Sequence, residues 1–217
     1  MKIVITKKCG EKLLFNSQDF FFEDGKITCL LGESGIGKTT LLHALAGIEP
    51  FDGKREGVGS VAVAFQEPRL LPFKSALGNM TFVGIDEKRG AQWLDWAEIA
   101  DKKQKASTLS GGEKQRVSLA RAVAKESDVL LLDEPFASVD TARKVRLLKK
   151  LSETLAQQQR TCVFVTHDVD EAVFIADEIL LWQQGELTRF AVQEKDREKF
   201  GDSPLRQKIY DKILSVD

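Results

Sequence analysis

One glycine-rich stretch has the residue types and the spacing of a phosphate-binding loop. Residues 32–39 read GESGIGKT and match the pattern GxxxxGK[ST]. Glycines let the backbone curl so that successive N–H groups point at phosphate oxygens, and the following helix adds the partial positive charge of its N-terminus. In such a loop Lys38 would bridge the β and γ phosphates, the Thr39 hydroxyl would bind Mg²⁺, and Thr40 would support the α phosphate. The predicted phosphate-contacting residues are Gly32, Ser34, Gly35, Ile36, Gly37, Lys38, Thr39 and Thr40.

Two adjacent acids follow an apolar run farther along the chain. Residues 129–132 read VLLL and precede Asp133 and Glu134. Burying a strand that presents two carboxylates costs free energy unless a cation neutralises them, so the pair indicates a metal site. Asp133 is then the Mg²⁺ partner, through a water molecule, because Mg²⁺ surrenders its hydration shell reluctantly. Glu134 can accept a proton from an attacking water or orient it.

The elements that must position these motifs are predicted by short apolar runs with helical stretches between them. Each run is followed by Gly, Asp, Glu or Thr, which predicts buried strands of a largely parallel sheet and an α/β protein. The phosphate loop would lie between a strand and a helix over residues 38–46, which Gly47 ends. The predicted strands are 27–31, 61–65, 129–132, 162–165 and 178–182.

Two segments differ from this pattern. Residues 2–6 and 13–23 partly alternate across a turn at residues 8–11, which predicts an N-terminal antiparallel β subdomain. Strand signals disappear over residues 73–108, and apolar residues recur there at helical spacing, which predicts a short inserted helical subdomain. We therefore predict one domain, with residues 1–72 and 109–217 forming the core. The helically spaced residues, whose two tryptophans we assign to core packing, are Trp93, Trp96, Ala97 and Ala100.

Charge and cysteine content exclude several classes of protein. The 32 Lys and Arg residues nearly cancel the 33 Asp and Glu residues, so no global positive field argues for a nucleic-acid partner or an anionic lipid surface. Cys9, Cys29 and Cys162 form no CxxC pair, which argues against a disulfide framework and a zinc site. No apolar run approaches the roughly 20 residues of a membrane span, so we expect a soluble chain whose transmembrane path belongs to other subunits.

The sequence resembles the ATP-binding-cassette (ABC) ATPases over nearly its whole length. Residues 109–116 read LSGGEKQR and are similar to the signature LSGGxxQR of that family. The order of phosphate loop, signature and Asp-Glu strand is also the family's, and further matches are Gln66, residues 138–140 and residues 166–168. Ser110 can cap the helix that runs to Lys125, and an acid three positions on completes a capping box.

The resemblance implies a P-loop NTPase (RecA-like) fold and hydrolysis of ATP with Mg²⁺. Ser110 and Gly112 resemble residues that contact the γ phosphate held by the opposite subunit, which implies a homodimer around two ATP molecules. Gln66 resembles the residue that senses Mg²⁺ and water, Asp140 the contact across the dimer, and His167 the γ-phosphate switch. The implied catalytic residues are Glu134, His167, Gln66 and Lys38, and the implied metal-site residues are Thr39, Gln66 and Asp133.

This chain departs from the family's pattern at the base-binding position. Such ATPases usually stack adenine on an aromatic residue a little over twenty positions before the phosphate loop, and Cys9 stands there. A cysteine cannot stack on a base, so we expect relaxed base selectivity, unless Phe15 substitutes.

The family's helical subdomain normally receives a helix from a membrane subunit, and here the subdomain is shorter than usual. Residues 66–73 (Gln66 to Phe73) place Leu70, Leu71 and Phe73 beside a proline-stiffened bend, which makes this segment our candidate docking groove for a membrane permease. Buried loop packing is the alternative role for these side chains.

Residues 66–72, 170–173 and 203–214 are similar to the branch of nitrate, sulfonate and taurine importers. The resemblance implies a subunit on the cytoplasmic face of the membrane that drives import of a small ion through permease subunits, with a substrate-binding protein as an indirect partner. An exporter or lipoprotein-release ATPase is the alternative, ahead of a DNA-repair ATPase or a non-enzymatic nucleotide-binding module. The tail places Leu205, Ile209 and Ile213 on one helical stripe, which predicts packing on the body.

Overall fold

A computed structural model of the chain describes residues 1–9, 12–197 and 200–214. The strands are β1 (Lys2–Cys9), β2 (Lys12–Phe21), β3 (Ile27–Gly32), β4 (Asp52–Glu56), β5 (Val61–Ala64), β6 (Val129–Asp133), β7 (Thr161–Val165), β8 (Glu178–Gln183) and β9 (Glu186–Ala191). The helices are α1 (Lys38–Leu45), α2 (Ala76–Phe82), α3 (Glu87–Trp96), α4 (Gly111–Ala124), α5 (Thr141–Gln158), α6 (Val169–Ile175), α7 (Glu194–Arg197) and α8 (Pro204–Leu214), with a 3₁₀ turn at Ala106–Thr108.

The central sheet has six strands in the order β5-β6-β7-β3-β8-β9. The first five run parallel, and β9 pairs antiparallel with β8. Strands β6 and β7 are buried along their whole length, which explains why their sequences are continuous apolar runs. The five strands predicted in this sheet are therefore confirmed. Because β6, β7 and β3 are neighbours, the loops at their carboxyl ends meet at one edge, as ligand sites do in open α/β sheets.

A second sheet, in the order β2-β1-β4, is antiparallel and confirms the predicted N-terminal β subdomain. Its apolar side chains, among them Ile3, Ile5 and Phe20, share a buried cluster with Leu41 and Trp182 of the core. Strand β4 was not predicted, because its five residues are all exposed and contain no apolar alternation. Pairing with β1 places this segment in the sheet.

The inserted segment contains α2, α3 and the 3₁₀ turn, as the helical prediction requires. Of the four residues predicted at helical spacing, Trp93 and Trp96 lie in α3, which begins after the N-cap Asp86 and ends at Trp96. Glu98 then takes φ 57°, a left-handed conformation that cannot continue a helix, and so the predicted helical residues Ala97 and Ala100 lie beyond its end. The subdomain boundaries at residues 73 and 108 stay a prediction.

The last helix, α8, packs on the central body as predicted. Ile209 is fully buried in the main core, and Leu205 and Ile213 pack partly buried against it. Arg206 of the same helix forms an ion pair with Asp170 at the start of α6. Among the helices in the described part of the chain, none combines the length and apolar character that crossing a bilayer requires.

Candidate functional site

The phosphate loop joins the carboxyl end of β3 to the start of α1, as predicted. Gly37 caps α1 with φ 119°, which side-chain-bearing residues rarely adopt. A Cβ atom at Gly37 would also lie 3.0 Å from the ring of Phe15. Gly32 is needed for a different reason, since a Cβ atom there would meet the carbonyl oxygen of Trp182 at 2.5 Å. Conformation and close approach together explain the glycines at these two positions.

Lys38 holds its ammonium group inside the loop that precedes it. The Nζ atom donates hydrogen bonds to the carbonyl oxygens of Gly32 at 2.7 Å and Glu33 at 2.8 Å. Desolvation lowers the pKa of Lys38, opposed by the negative charges of Glu134 and Asp133. The ammonium group is therefore fixed at the loop within the electrostatic influence of two carboxylates.

Asp133 ends β6 and is nearly fully buried, at 2% exposure. Among the described residues, neither carboxylate oxygen has a hydrogen-bond donor at bonding distance and angle. Burial raises the pKa of Asp133, opposed by the neighbouring Thr39 hydroxyl and the charge of Lys38. A buried carboxylate without donors costs several kcal/mol unless a cation or water satisfies it. Carboxylate and hydroxyl oxygens are the ligands that Mg²⁺ prefers, so this unsatisfied pair of oxygens fits a hard divalent cation.

Glu134 and His167 come together across the ends of neighbouring strands. Glu134 Oε2 lies 3.3 Å from His167 Nδ1, with the His167 side chain 66% exposed and that of Glu134 19% exposed. The Glu134 N–H donates to the Val165 carbonyl oxygen at 2.9 Å, which ties the end of β6 to the end of β7. Glu134 has φ 44°, a costly conformation for a residue with a side chain, and such strain is typical of functional positions.

A cavity of about 430 Å³ is lined by Glu134 and the phosphate loop, and His167 is not among its lining residues. Its volume falls within the range of pockets that hold small-molecule ligands. A larger groove of about 990 Å³ lies at the opposite end of the strands and is lined by none of the predicted site residues. The residues lining the smaller cavity are Leu14, Ser34, Gly35, Gly37, Lys38, Thr39, Thr40, Gln66, Glu134 and Val165.

The base-binding predictions have two outcomes. The side chain of Cys9 lies outside the described part of the chain. The suggestion that Phe15 substitutes for an aromatic base platform is wrong, because Phe15 is 2% exposed and stacks on Trp182 with ring centroids 5.1 Å apart. Leu14, which was not among the predicted site residues, lines the cavity instead.

The signature residues form the predicted helix start. Ser110 caps α4, and Glu113 Oε2 accepts hydrogen bonds from the Ser110 N–H at 2.9 Å and hydroxyl at 2.8 Å, which completes the capping box. Asp140 caps α5 and accepts a hydrogen bond from the Arg143 N–H at 3.1 Å. Ser110, Gly112 and Asp140 do not line the 430 Å³ cavity. The roles predicted for them across a dimer stay predictions.

An ionic cluster of Lys144, Asp168 and Glu171 lies behind His167 and was not predicted from the sequence. Lys144 Nζ lies 2.7 Å from Glu171 Oε1 and 3.0 Å from Asp168 Oδ2, and the Thr166 hydroxyl donates to Glu171 at 2.8 Å. Burial raises the pKa of Glu171, opposed by the hydrogen bonds from Lys144 and Thr166. The sequence signal was Asp168 before two acids, a typical helix N-cap pattern. The cluster anchors the segment that carries His167 to α5.

The chain is similar to a known family and to individual proteins of that family. The family described as "ABC transporter" matches residues 15–137. An aliphatic sulfonates import ATP-binding protein, SsuB, from Mycobacterium sp. (strain MCS) is 41% identical over 82% of this chain and 77% of its own length. An SsuB 1 protein of the same description from Pseudomonas fluorescens is 36% identical over 98% of this chain and 84% of its own length.

The fold is similar to that of a solved ATP-binding cassette, MJ0796. A dimeric post-hydrolysis structure of MJ0796 bound to ADP and Pi superposes with a TM-score of 0.80 at 24% identity, covering 89% of this chain and 99% of that one. At this identity the likeness supports the fold. The P-loop NTPase architecture predicted for the chain is confirmed.

Proposed function

The chain belongs to the ABC transporter family, and on that basis we propose that it is the ATP-binding and ATP-hydrolysing subunit of an importer. The observation that supports the proposal is the 430 Å³ cavity, whose lining includes the phosphate-loop residues Lys38 and Thr39 together with Gln66 and Glu134. ATP with its triphosphate in the loop would present the γ phosphate to these groups. Ordinary phosphate binding would not require a carboxylate at this position.

Mg²⁺ is the metal that the donor set fits. The residues that would hold it are Thr39, Asp133 and Gln66. The buried carboxylate of Asp133 has no hydrogen-bond donor among the described residues. Bound with ATP, the ion would neutralise charge on the phosphate oxygens. Gln66 lies on an exposed loop after β5, so its approach to the site depends on that loop.

The catalytic work of the chain itself is positioning and charge. Lys38 would stabilise negative charge on the β and γ phosphates, and the phosphate-loop N–H groups would hold the triphosphate in line. Glu134 would orient the attacking water and accept its proton, and its Oε2 atom lies close enough to His167 Nδ1 for the histidine to hold that carboxylate in place. His167, which is largely exposed, would contact the γ phosphate.

We propose that two copies share each ATP site. Ser110 is exposed at the capped start of α4, outside the cavity of its own chain, and the N-terminus of this long helix favours an anion supplied by another chain. Asp140 is similarly exposed at the start of α5. The dimeric structures of the MJ0796 cassette support a twofold arrangement of this kind.

We also propose that membrane permease subunits dock beside the segment 66–73. Phe73 is 70% exposed and Phe82 of α2 is 62% exposed, so two aromatic side chains of this region are accessible to a partner. Leu70 and Leu71 are half-buried, which agrees in part with the alternative of loop packing. Docking would hold the subunit at the cytoplasmic face of the membrane.

The relatives favour import over export and favour a sulfonate among the small anions. Two of them are described as aliphatic sulfonates import ATP-binding proteins. The cargo of this chain is therefore proposed to be a small organic anion of the sulfonate type, with nitrate and taurine as further members of the expected range. A substrate-binding protein would deliver it to the permease.

The test of the proposed function is the substitution Glu134→Gln. We expect Mg²⁺-dependent phosphate release from ATP to fall by roughly 10²- to 10⁴-fold, the usual weight of a general base, while ATP binding persists. With ATP and Mg²⁺ the variant should accumulate as a dimer in light scattering, because release of the dimer requires hydrolysis. Glu153→Gln on the exposed face of α5 is the matched control. Unimpaired phosphate release by Glu134→Gln would remove Glu134 from its role.

A further inference from the structure

Helix α4 reaches the catalytic segment of its own chain through a buried glutamine. Gln115 is 3% exposed, and its Nε2 atom donates a hydrogen bond to the carbonyl oxygen of Glu134 at 3.2 Å. Its bond is to the backbone, so it leaves the Glu134 carboxylate free. The signature helix therefore contacts the residue that the proposed function places at the attacking water.

The same face of α4 makes a second contact with this segment. Gly112 lies three residues before Gln115, and residues at that spacing share a helix face. A Cβ atom at Gly112 would lie 2.7 Å from the carbonyl oxygen of Ser138, so the two backbones are in close approach. Gly112 and Gln115 thus hold the segment 134–138 at both of its ends.

Glu134 needs such support because its backbone conformation is unfavourable. Its φ of 44° lies in the left-handed region, which persists in a residue with a side chain only when the surroundings impose it. The Glu134 N–H donates to the Val165 carbonyl, and the Glu134 carbonyl accepts from Gln115 Nε2 and from the Ala137 N–H, each at 3.2 Å. Both peptide groups that define the orientation of the Glu134 side chain are therefore held, one by β7 and the other by α4 together with the turn that follows Glu134.

We propose that Gln115 is a positioning residue for hydrolysis, which fixes the Glu134 backbone so that its carboxylate meets the attacking water. The proposal rests on the proposed function, since it assumes that Glu134 serves the reaction. In the proposed dimer the capped start of α4 would contact the ATP held by the partner. The same helix is hydrogen-bonded to Glu134 of its own chain through Gln115. Movement of α4 at one ATP site would then reorient Glu134 at the other.

The experiment measures steady-state hydrolysis of Mg²⁺-ATP by the full chain and its variants. Gln115→Met removes the donor and keeps the side-chain length, and Gln115→Leu removes the donor with a shorter apolar side chain. We expect each to lower kcat by about tenfold, the equivalent of one hydrogen bond at the upper end of its usual range, with KM and ATP binding changed less than about twofold. Gln207→Met on α8, which removes a donor to Asp211 on an exposed face, should leave kcat unchanged.

The decisive arm combines each variant with Glu134→Gln. If Gln115 acts through Glu134, Gln115→Met should cause no further loss in that background, because the effects of residues acting as a unit are not additive. An equal tenfold loss in both backgrounds, a normal kcat in Gln115→Met, or unfolding of both Gln115 variants would overturn the proposal. Absence of hydrolysis by the wild-type chain would instead refute the proposed function, so the two failures are distinguishable.

Discussion

The ionic cluster behind His167 allows a quantitative prediction for the substitution Lys144→Met. The Lys144 ammonium group is the positive partner of both Glu171 and Asp168, at 2.7 and 3.0 Å. The Glu171 side chain is 5% exposed, so the substitution leaves a buried carboxylate with the Thr166 hydroxyl as its remaining donor in the cluster. We expect the substitution to lower the stability of the fold and to disturb the position of His167.

The magnitude follows from burial. Removing one partner of a buried ion pair costs about 3–5 kcal/mol because an uncompensated charge remains. Asp168 is 28% exposed, and a small pocket of about 70 Å³ beside the cluster gives water access, so part of the charge is rehydrated. We therefore expect a loss of about 2–4 kcal/mol in the free energy of unfolding at pH 7.5. In a chain of this length that corresponds to a fall in Tm of roughly 5–15 °C.

The loss should depend on pH in a defined direction. Burial raises the pKa of Glu171, and removing the Lys144 hydrogen bond should raise it further. A carboxyl group whose pKa is raised in the folded state contributes to the free energy of unfolding while it is protonated. That contribution is lost as pH rises through the folded-state pKa. The destabilisation by Lys144→Met should therefore be largest near pH 8 and shrink as pH falls toward 5.

The assay is urea unfolding of both proteins between pH 5 and 8, with Lys149→Met as the control. Lys149 is exposed on the same helix, and its substitution should change the free energy of unfolding by less than about 0.5 kcal/mol. A loss below about 1 kcal/mol for Lys144→Met, or one that grows as pH falls, would refute the reasoning. The turnover of ATP by Lys144→Met, measured alongside, should be reduced because the segment carrying His167 loses its anchor.

Three further predictions concern other residues of the site. Asp133→Asn should stabilise the metal-free chain by about 1 kcal/mol, because it removes a buried charge that no donor of the described residues satisfies. The same substitution should slow Mg²⁺-dependent hydrolysis by about 10- to 100-fold, and lower thermal stability would contradict the reasoning. Gly112→Ala should lower the free energy of unfolding of even the isolated chain by about 1–3 kcal/mol in urea, because its Cβ would overlap the Ser138 carbonyl. Gly111→Ala is the control, since its Cβ would lie 3.9 Å from its nearest neighbour, and it should be tolerated. Cys9→Tyr should tighten ATP binding by about 5- to 100-fold through base stacking, as measured by calorimetry with ATP and GTP. A strong preference of the wild type for ATP over GTP would count against relaxed base selectivity.

Local patterns in the sequence were sufficient for much of the fold. The phosphate loop, the capping box at Ser110 and the five buried strands were predicted correctly, because each depends on residues within a few positions of one another. Hydrophobic periodicity and capping chemistry act over that same range. The parallel direction of the strands also follows from the sequence pattern, since apolar strands that alternate with helices form parallel sheets.

Other features depend on residues distant in the chain and were invisible to those patterns. The strand β4 exists because β1 pairs with it, and Phe15 is unavailable to a base because Trp182 and Gly37 cover it. No periodicity within β4 or around Phe15 carries that information. Burial and pairing are properties of the folded chain, and they override local propensity.

The sequence alone thus determined which chemical groups the protein has and the strand ends on which they lie. The tertiary structure decided how those groups are held: Gln115 bonds the backbone of Glu134 from 19 residues away, and Lys144 joins Asp168 across 24 residues. The physical reason is that a hydrogen bond or ion pair forms only when folding brings its two partners within about 3 Å of each other, and sequence spacing does not specify that distance.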